Sequence, residues 1–297
     1  MSGKASRGMV WARIFIVLIL VSLMAWCTTN NRRMAQSAPL RMELQSIFLE
    51  QGLIDNSNER SNLADVARKA GTARMNRLLY DVAGSASLDS LKWIVANGAE
   101  PKDIGIMRDM TLLQSVAMRA QGDRIEYFLG LGLNPAERSR DGKTLMHIAA
   151  QGGMDNKVLA LLVAKGLNMN EPDNVGRVPI HYASVKAISV LAGAGADIDA
   201  KDALGMTPLH YAAKEGKNDI VAELLRNSAS VYLTDKKGRT ALHFAAMTAQ
   251  SNNVVDTLLA VGAPVTVRDE DGNTPKDLAI EARDNYRYRN VSVIDRL

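Results

Sequence analysis

The sequence predicts an all-α repeat solenoid preceded by one apolar N-terminal helix. Two glycine series carry most of that reading. Gly142, Gly176, Gly205, Gly238 and Gly272 form one, and Gly132, Gly166, Gly195, Ser228 and Gly262 lie ten residues before them. A connector of constant length therefore recurs five times, which is the signature of a repeat architecture. The second observation is the content of the longer segments, each of which reads as two short amphipathic helices. The third is composition: 47% apolar and 23% charged residues, with only 5% aromatics. That balance suits a folded chain and argues against disorder, a β-sandwich or a base-stacking surface.

The segment from Thr207 to Ser228 shows how each element is justified. Thr207 is a helix N-cap and Pro208 suits the first helical position. Leu209, Ala212 and Ala213 supply one apolar face. Gly216 can end this helix in a left-handed conformation. Ile220, Val221, Leu224 and Leu225 then form the stripe of a second helix. The next segment repeats the pattern with Thr240, Leu242, Ala245, Ala246, Val254, Val255, Leu258 and Leu259. Its inter-helix turn is expected at Asn252 and Asn253, residues that tolerate left-handed backbone. Helices this short are marginal alone and must bury their faces on neighbouring units.

These residues resemble ankyrin repeats. The family pattern Thr-Pro-Leu-His with a following Ala-Ala is met by Thr207-Pro208-Leu209-His210 with Ala212-Ala213. Thr240-Ala241-Leu242-His243 with Ala245-Ala246 follows closely. Thr144-Leu145-Met146-His147 departs at the proline, and Val178-Pro179-Ile180-His181 at the threonine. A weaker unit starts at Thr111 and a still weaker one near Asn76, using Leu91, Ile94, Val95 and Gly98. Thr274-Pro275-Lys276-Asp277 opens a final half-unit without the histidine. The resemblance spans 76–297, most strongly 141–275. It implies stacked helix pairs with connectors projecting along one edge, and a protein-binding rather than a catalytic role. It also implies that His147, His181, His210 and His243 hydrogen-bond within and between repeats.

One repeat is short. The segments between connectors hold 24, 19, 23 and 24 residues, and the deficit lies between Gly176 and Gly195. Because the connector keeps its length, the deletion falls in the helix pair. A locally irregular, weaker layer is expected there.

Ahead of the repeats, residues 30–75 are expected to be a linker and helical cap. Leu40, Leu44, Ile47 and Phe48 suggest one helix, and Leu63 to Ala70 another. Residues 1–29 read as a membrane anchor or signal. Ile14 to Cys27 is uncharged, and Val10 to Thr29 reaches the length that crosses a bilayer. The lysine and arginines at 4, 7 and 13 weakly favour an extracytoplasmic body on a single-pass protein. A cleaved signal, giving a secreted protein, and a lipid anchor on Cys27 are the alternatives.

The formal charge is +4, but three basic residues precede residue 30, so the body is nearly neutral. No nucleic-acid partner is implied. The four histidines share one motif position, the lone cysteine is Cys27, and Asp173, Asp202, Asp235 and Asp269 recur before connector glycines as turn formers. Hence no catalytic group, metal, cofactor or small-molecule substrate is expected. The Tyr286-Arg287-Tyr288-Arg289 stretch reads as the exposed face of a terminal capping helix. The candidate partner surface is the set of connector tips: Lys143, Arg177, Met206, Lys236, Lys237, Arg239 and Asn273. Its basic bias points to an acidic protein surface. The expectation is a membrane-tethered binder or scaffold; an inhibitor or immunity protein neutralising a toxin or enzyme, and an enzyme's regulatory subunit, are the alternatives.

Overall fold

The computed structural model describes residues 39–51, 53, 63–118, 122–152, 156–248, 252–286 and 291–297. The described residues fall into two compact units that divide near residue 100.

In the first unit, helix α1 covers 39–50 and buries Leu44, Ile47 and Phe48. Helix α2, Leu63–Val82, is broken at Gly71, whose φ of 78° and ψ of 163° are non-helical. The stretch expected to be helical up to Ala70 is thus the first arm of α2. Helix α3, Leu88–Ala96, buries Leu91 and Ile94. Ser87 caps it: its Oγ accepts from the Ser90 N–H at 3.2 Å, while Glu43 of α1 takes the Ser87 N–H at 2.7 Å and Oγ–H at 2.6 Å. Phe48 meets the Trp93 ring edge-on at 5.9 Å between centroids. The weak unit near Asn76 is therefore a helix pair packed with α1.

The second unit is a stack of helix pairs. They are α4 (Leu112–Ala117) with α5 (Gly122–Gly130), α6 (Leu145–Gln151) with α7 (Asn156–Ala164), and a 3-10 turn (Pro179–Tyr182) with α8 (Val185–Gly193). Then come α9 (Pro208–Lys214) with α10 (Asn218–Arg226), α11 (Ala241–Ala246) with α12 (Asn252–Ala260), and α13 (Pro275–Tyr286) with α14 (Val291–Arg296). First helices pack on first helices and second on second, giving two parallel rows. All six residues of α11 and six of the seven in α6 are buried. Their alanine pairs, with no side chain beyond Cβ, allow this row close contact on several sides. The outer row is amphipathic: in α10, Val221 and Leu224 face in and Asp219 and Arg226 face out.

Two expectations need correction. Asn252 and Asn253 form the first turn of α12 rather than the turn between helices. The single-pass membrane placement also falls. Among the described residues no helix is long and apolar enough to cross a membrane. The segment 10–29 lies outside the described residues. The extracytoplasmic body of a single-pass protein goes with that placement, and the segment of the cleaved signal and of Cys27 lies outside the described residues. The Tyr286-Arg287-Tyr288-Arg289 face likewise lies outside the described side chains.

Candidate functional site

The connector edge is built from the backbone outward. Four of the five turns are closed by an aspartate that accepts two main-chain N–H groups; at the Gly142 turn Ser139 Oγ accepts the Lys143 N–H at 3.0 Å. Asp173 Oδ1 takes those of Val175 and Arg177, both at 2.9 Å, and Asp202 Oδ1 those of Leu204 at 2.8 Å and Met206 at 2.9 Å. Asp235 and Asp269 do the same for their turns. The glycine that follows is left-handed. At Gly176, with φ of 80°, an added Cβ would also sit 2.8 Å from the Ala203 nitrogen. The close approach that excludes a side chain is the approach that lets one tip bond the next. Asn174 N–H donates to Asp141 O at 3.1 Å and Ala203 N–H to Val175 O at 3.1 Å. Lys236 N–H donates to Leu204 O and Glu270 N–H to Lys237 O, both at 2.9 Å. The tips are thereby tied into one ladder.

Behind the ladder stands a row of histidines. At all four, Nδ1 accepts the N–H of the residue three before, at 3.0–3.2 Å. A main-chain N–H can only donate, so Nε2 carries the proton and donates to a carbonyl of the next connector: Arg177, Met206, Arg239 or Asn273, at 3.0–3.2 Å. Burial pushes all four pKa values down, to about 4 at His210. Both nitrogens of each ring are committed. Among the described residues, no three His, Cys, Asp or Glu side chains are grouped to hold a metal ion.

The seven candidate tip residues separate into different places. Lys236 and Lys237 are exposed at one turn. Met206 is 3% exposed and belongs to the core. Asn273 is half-buried, its carbonyl taken by His243 and its N–H by Asp269. The other three cations fold back onto aromatic rings. Lys143 pairs with Asp141 at 2.8 Å and sits 4.8 Å from the Tyr182 ring. Arg239 grips Asp235 through Nε and Nη2 at 3.0 and 2.7 Å and lies over Phe244. Arg177 crosses to the next repeat: Nε and Nη2 donate to Tyr211 Oη at 3.1 and 2.8 Å, and the guanidinium stacks 4.3 Å from that ring. Tyr211 in turn donates to Asp202 at 2.6 Å. Burial and that aspartate push the Tyr211 pKa up to about 12.

The positions between these residues went unnoticed in the sequence. Val175 and Leu204 are 50% and 59% exposed at adjacent tips. The same position holds Asp141, Lys237 and Asp271 in the other turns, and that contrast was the available signal. The first tip of this unit is also unusual. Arg108 and Asp109 are left-handed, with φ of 47° and 68°, in a two-residue hairpin closed by Met107 and Met110. Beside it Met110, Met118, Ile148, Arg108, Arg140 and Lys143 line a groove of about 550 Å³.

A family profile described as Ankyrin repeats matches the chain in three copies, at residues 112–202, 180–269 and 209–286. Among curated proteins, Rabankyrin-5 of Mus musculus and of Homo sapiens are each 34% identical over 163 residues, 52% of this chain. The match takes in 14% of either protein's length. Protein PhlB of Serratia liquefaciens is 39% identical over 74 residues, 25% of this chain and 32% of that protein.

Proposed function

The chain belongs to the ankyrin-repeat family, whose repeats form protein–protein interaction modules, and we propose that it is a non-catalytic binder that holds a protein partner along its connector edge. The observation that carries this reading is the division of labour between the two sides of each connector. Inward, histidines, aspartates and Arg177 or Arg239 use their polar groups on the fold itself. Outward, Val175, Ala203, Leu204, Lys236 and Lys237 stand exposed on a backbone ladder, beside an exposed Asn174 that also donates to Arg140 O at 3.0 Å. A rigid, prearranged row of side chains loses little freedom when a partner lands on it. Lys143, Arg177 and Arg239 act as braces behind that row.

The test is site-directed photo-crosslinking of the full chain in its own cells. A photoreactive residue replacing Asn174 or Lys236 should give a discrete crosslink to another protein. The same residue replacing Lys217, in the turn between α9 and α10, should not. Crosslinks from Lys217 alone would move the interface to the opposite edge, and none from any tip would refute the reading.

A further inference from the structure

The exposed tips are not alike, and their order is informative. The Arg140–Asp141 tip is closed on itself, because Arg140 pairs with Asp109 at 2.5 Å and Asp141 with Lys143 at 2.8 Å. Then come two tips without charge, Asn174-Val175 and Ala203-Leu204, whose apolar members are 50% and 59% exposed. Next is Lys236-Lys237, and after it Glu270-Asp271, all exposed. Neither lysine makes an ion pair among the described residues. The ladder hydrogen bonds from Ala203 to Val175, from Lys236 to Leu204 and from Glu270 to Lys237 hold these tips in one line. The edge is therefore a strip with three fields: apolar over two tips, cationic over one, anionic over one.

We propose that this strip binds an extended segment of a partner protein in which an acidic block lies between an apolar block and a basic block. This rests on the reading of the connector edge as the partner surface and adds the partner's chemistry. The acidic block belongs in the middle because Lys236 and Lys237 stand between the apolar and anionic fields. Repeats stack about 10 Å apart, the usual spacing of packed helices, and an extended chain advances about 3.3 Å per residue. Each tip therefore faces about three partner residues, and the whole strip about twelve. A nucleic acid does not fit, because its unbroken run of phosphates would meet Glu270 and Asp271 as soon as it met the lysines. The strip also sets orientation: a partner laid on backwards brings its basic block onto the apolar tips and its apolar block onto Glu270 and Asp271.

The test uses fluorescence anisotropy of the full chain with synthetic twelve-residue peptides. Six peptides carry the same three blocks, an alternating Leu/Val/Ser block, a Glu block and a Lys block, in every order. The two orders with glutamate in the middle should bind about tenfold more tightly than the other four. In Lys236→Glu/Lys237→Glu that preference should be lost, because the middle field then repels the glutamate block. Equal binding of all six, no binding up to millimolar concentration, or a preference unchanged in the double variant would overturn the proposal. Tighter binding of a twelve-residue single-stranded oligonucleotide would do the same. Tip crosslinks to a protein would survive such a failure if only the block order is wrong, and would be absent if the connector edge is not the partner surface at all.

Discussion

At each of the four motif positions a neutral imidazole bridges two repeats, and protonation would remove the Nδ1 acceptor. The folded pKa lies below the ordinary 6.5 at all four histidines, at about 4 for His210. Their contribution is therefore fully present above about pH 6.5. It is lost as pH falls from there toward the folded values, because the unfolded chain takes up protons first. For His210 the full shift corresponds to about 3 kcal/mol. Urea midpoints should fall between pH 7 and pH 5, before any ordinary carboxylate is protonated; a flat profile would deny the imidazoles this role. Ser228 offers a second residue-scale test. It is left-handed, with φ of 70°, where the other repeats place glycine. Ser228→Gly should raise stability by about 1 kcal/mol, read as a higher melting temperature, since glycine adopts this backbone without a Cβ clash.

Among the elements, the short repeat departs most from its neighbours. Where α9 has seven residues followed by Glu215 and the left-handed Gly216, the third repeat has a four-residue 3-10 turn and an extended Ala183. Ser184 then starts α8, its N–H donating to Ala150 O at 2.9 Å. The lost turn leaves a notch of about 550 Å³ between Gln151, Ile180, Val185, Pro208, Ala212 and Glu215. Five residues of helix about 10 Å across occupy a similar volume. The stack is held across this gap by the Arg177–Tyr211–Asp202 brace and by His181 on Met206. Amide exchange should be faster in 179–195 than in 207–228; equal protection would mean that the notch costs the layer nothing. Arg177→Ala should destabilise the chain by about 1–2 kcal/mol and speed exchange around the notch, while leaving α12 unchanged.

Across the whole chain, charge has two separate uses, and reversing it should tell them apart. Arg177→Glu/Arg239→Glu places carboxylates against Asp202 and Asp235, both nearly buried. It should cost about 3 kcal/mol or more, seen as early thermal unfolding. Lys236→Glu/Lys237→Glu changes only exposed side chains and should leave stability within about 0.5 kcal/mol. Equal damage from both pairs would mean that the lysines also brace the fold. Such a contrast lay beyond the sequence. Lys143, Arg177, Lys236 and Arg239 look alike as basic residues around a turn glycine. Which of them reaches a ring or a carboxylate depends on the neighbouring repeat.

The repeat period, the caps at Thr207 and Thr240, the left-handed Gly216, the turn-closing aspartates and the helical character of 39–50 were legible in the residues alone. Each follows from local rules: backbone sterics, capping chemistry and apolar periodicity act within about ten residues. The short third repeat could be located by counting. Folding brings Arg177 onto Tyr211, sends Met206 into the core and sets Val175 and Leu204 side by side at the edge. Those contacts join residues about thirty apart, and their geometry comes from stacking one helix pair on the next.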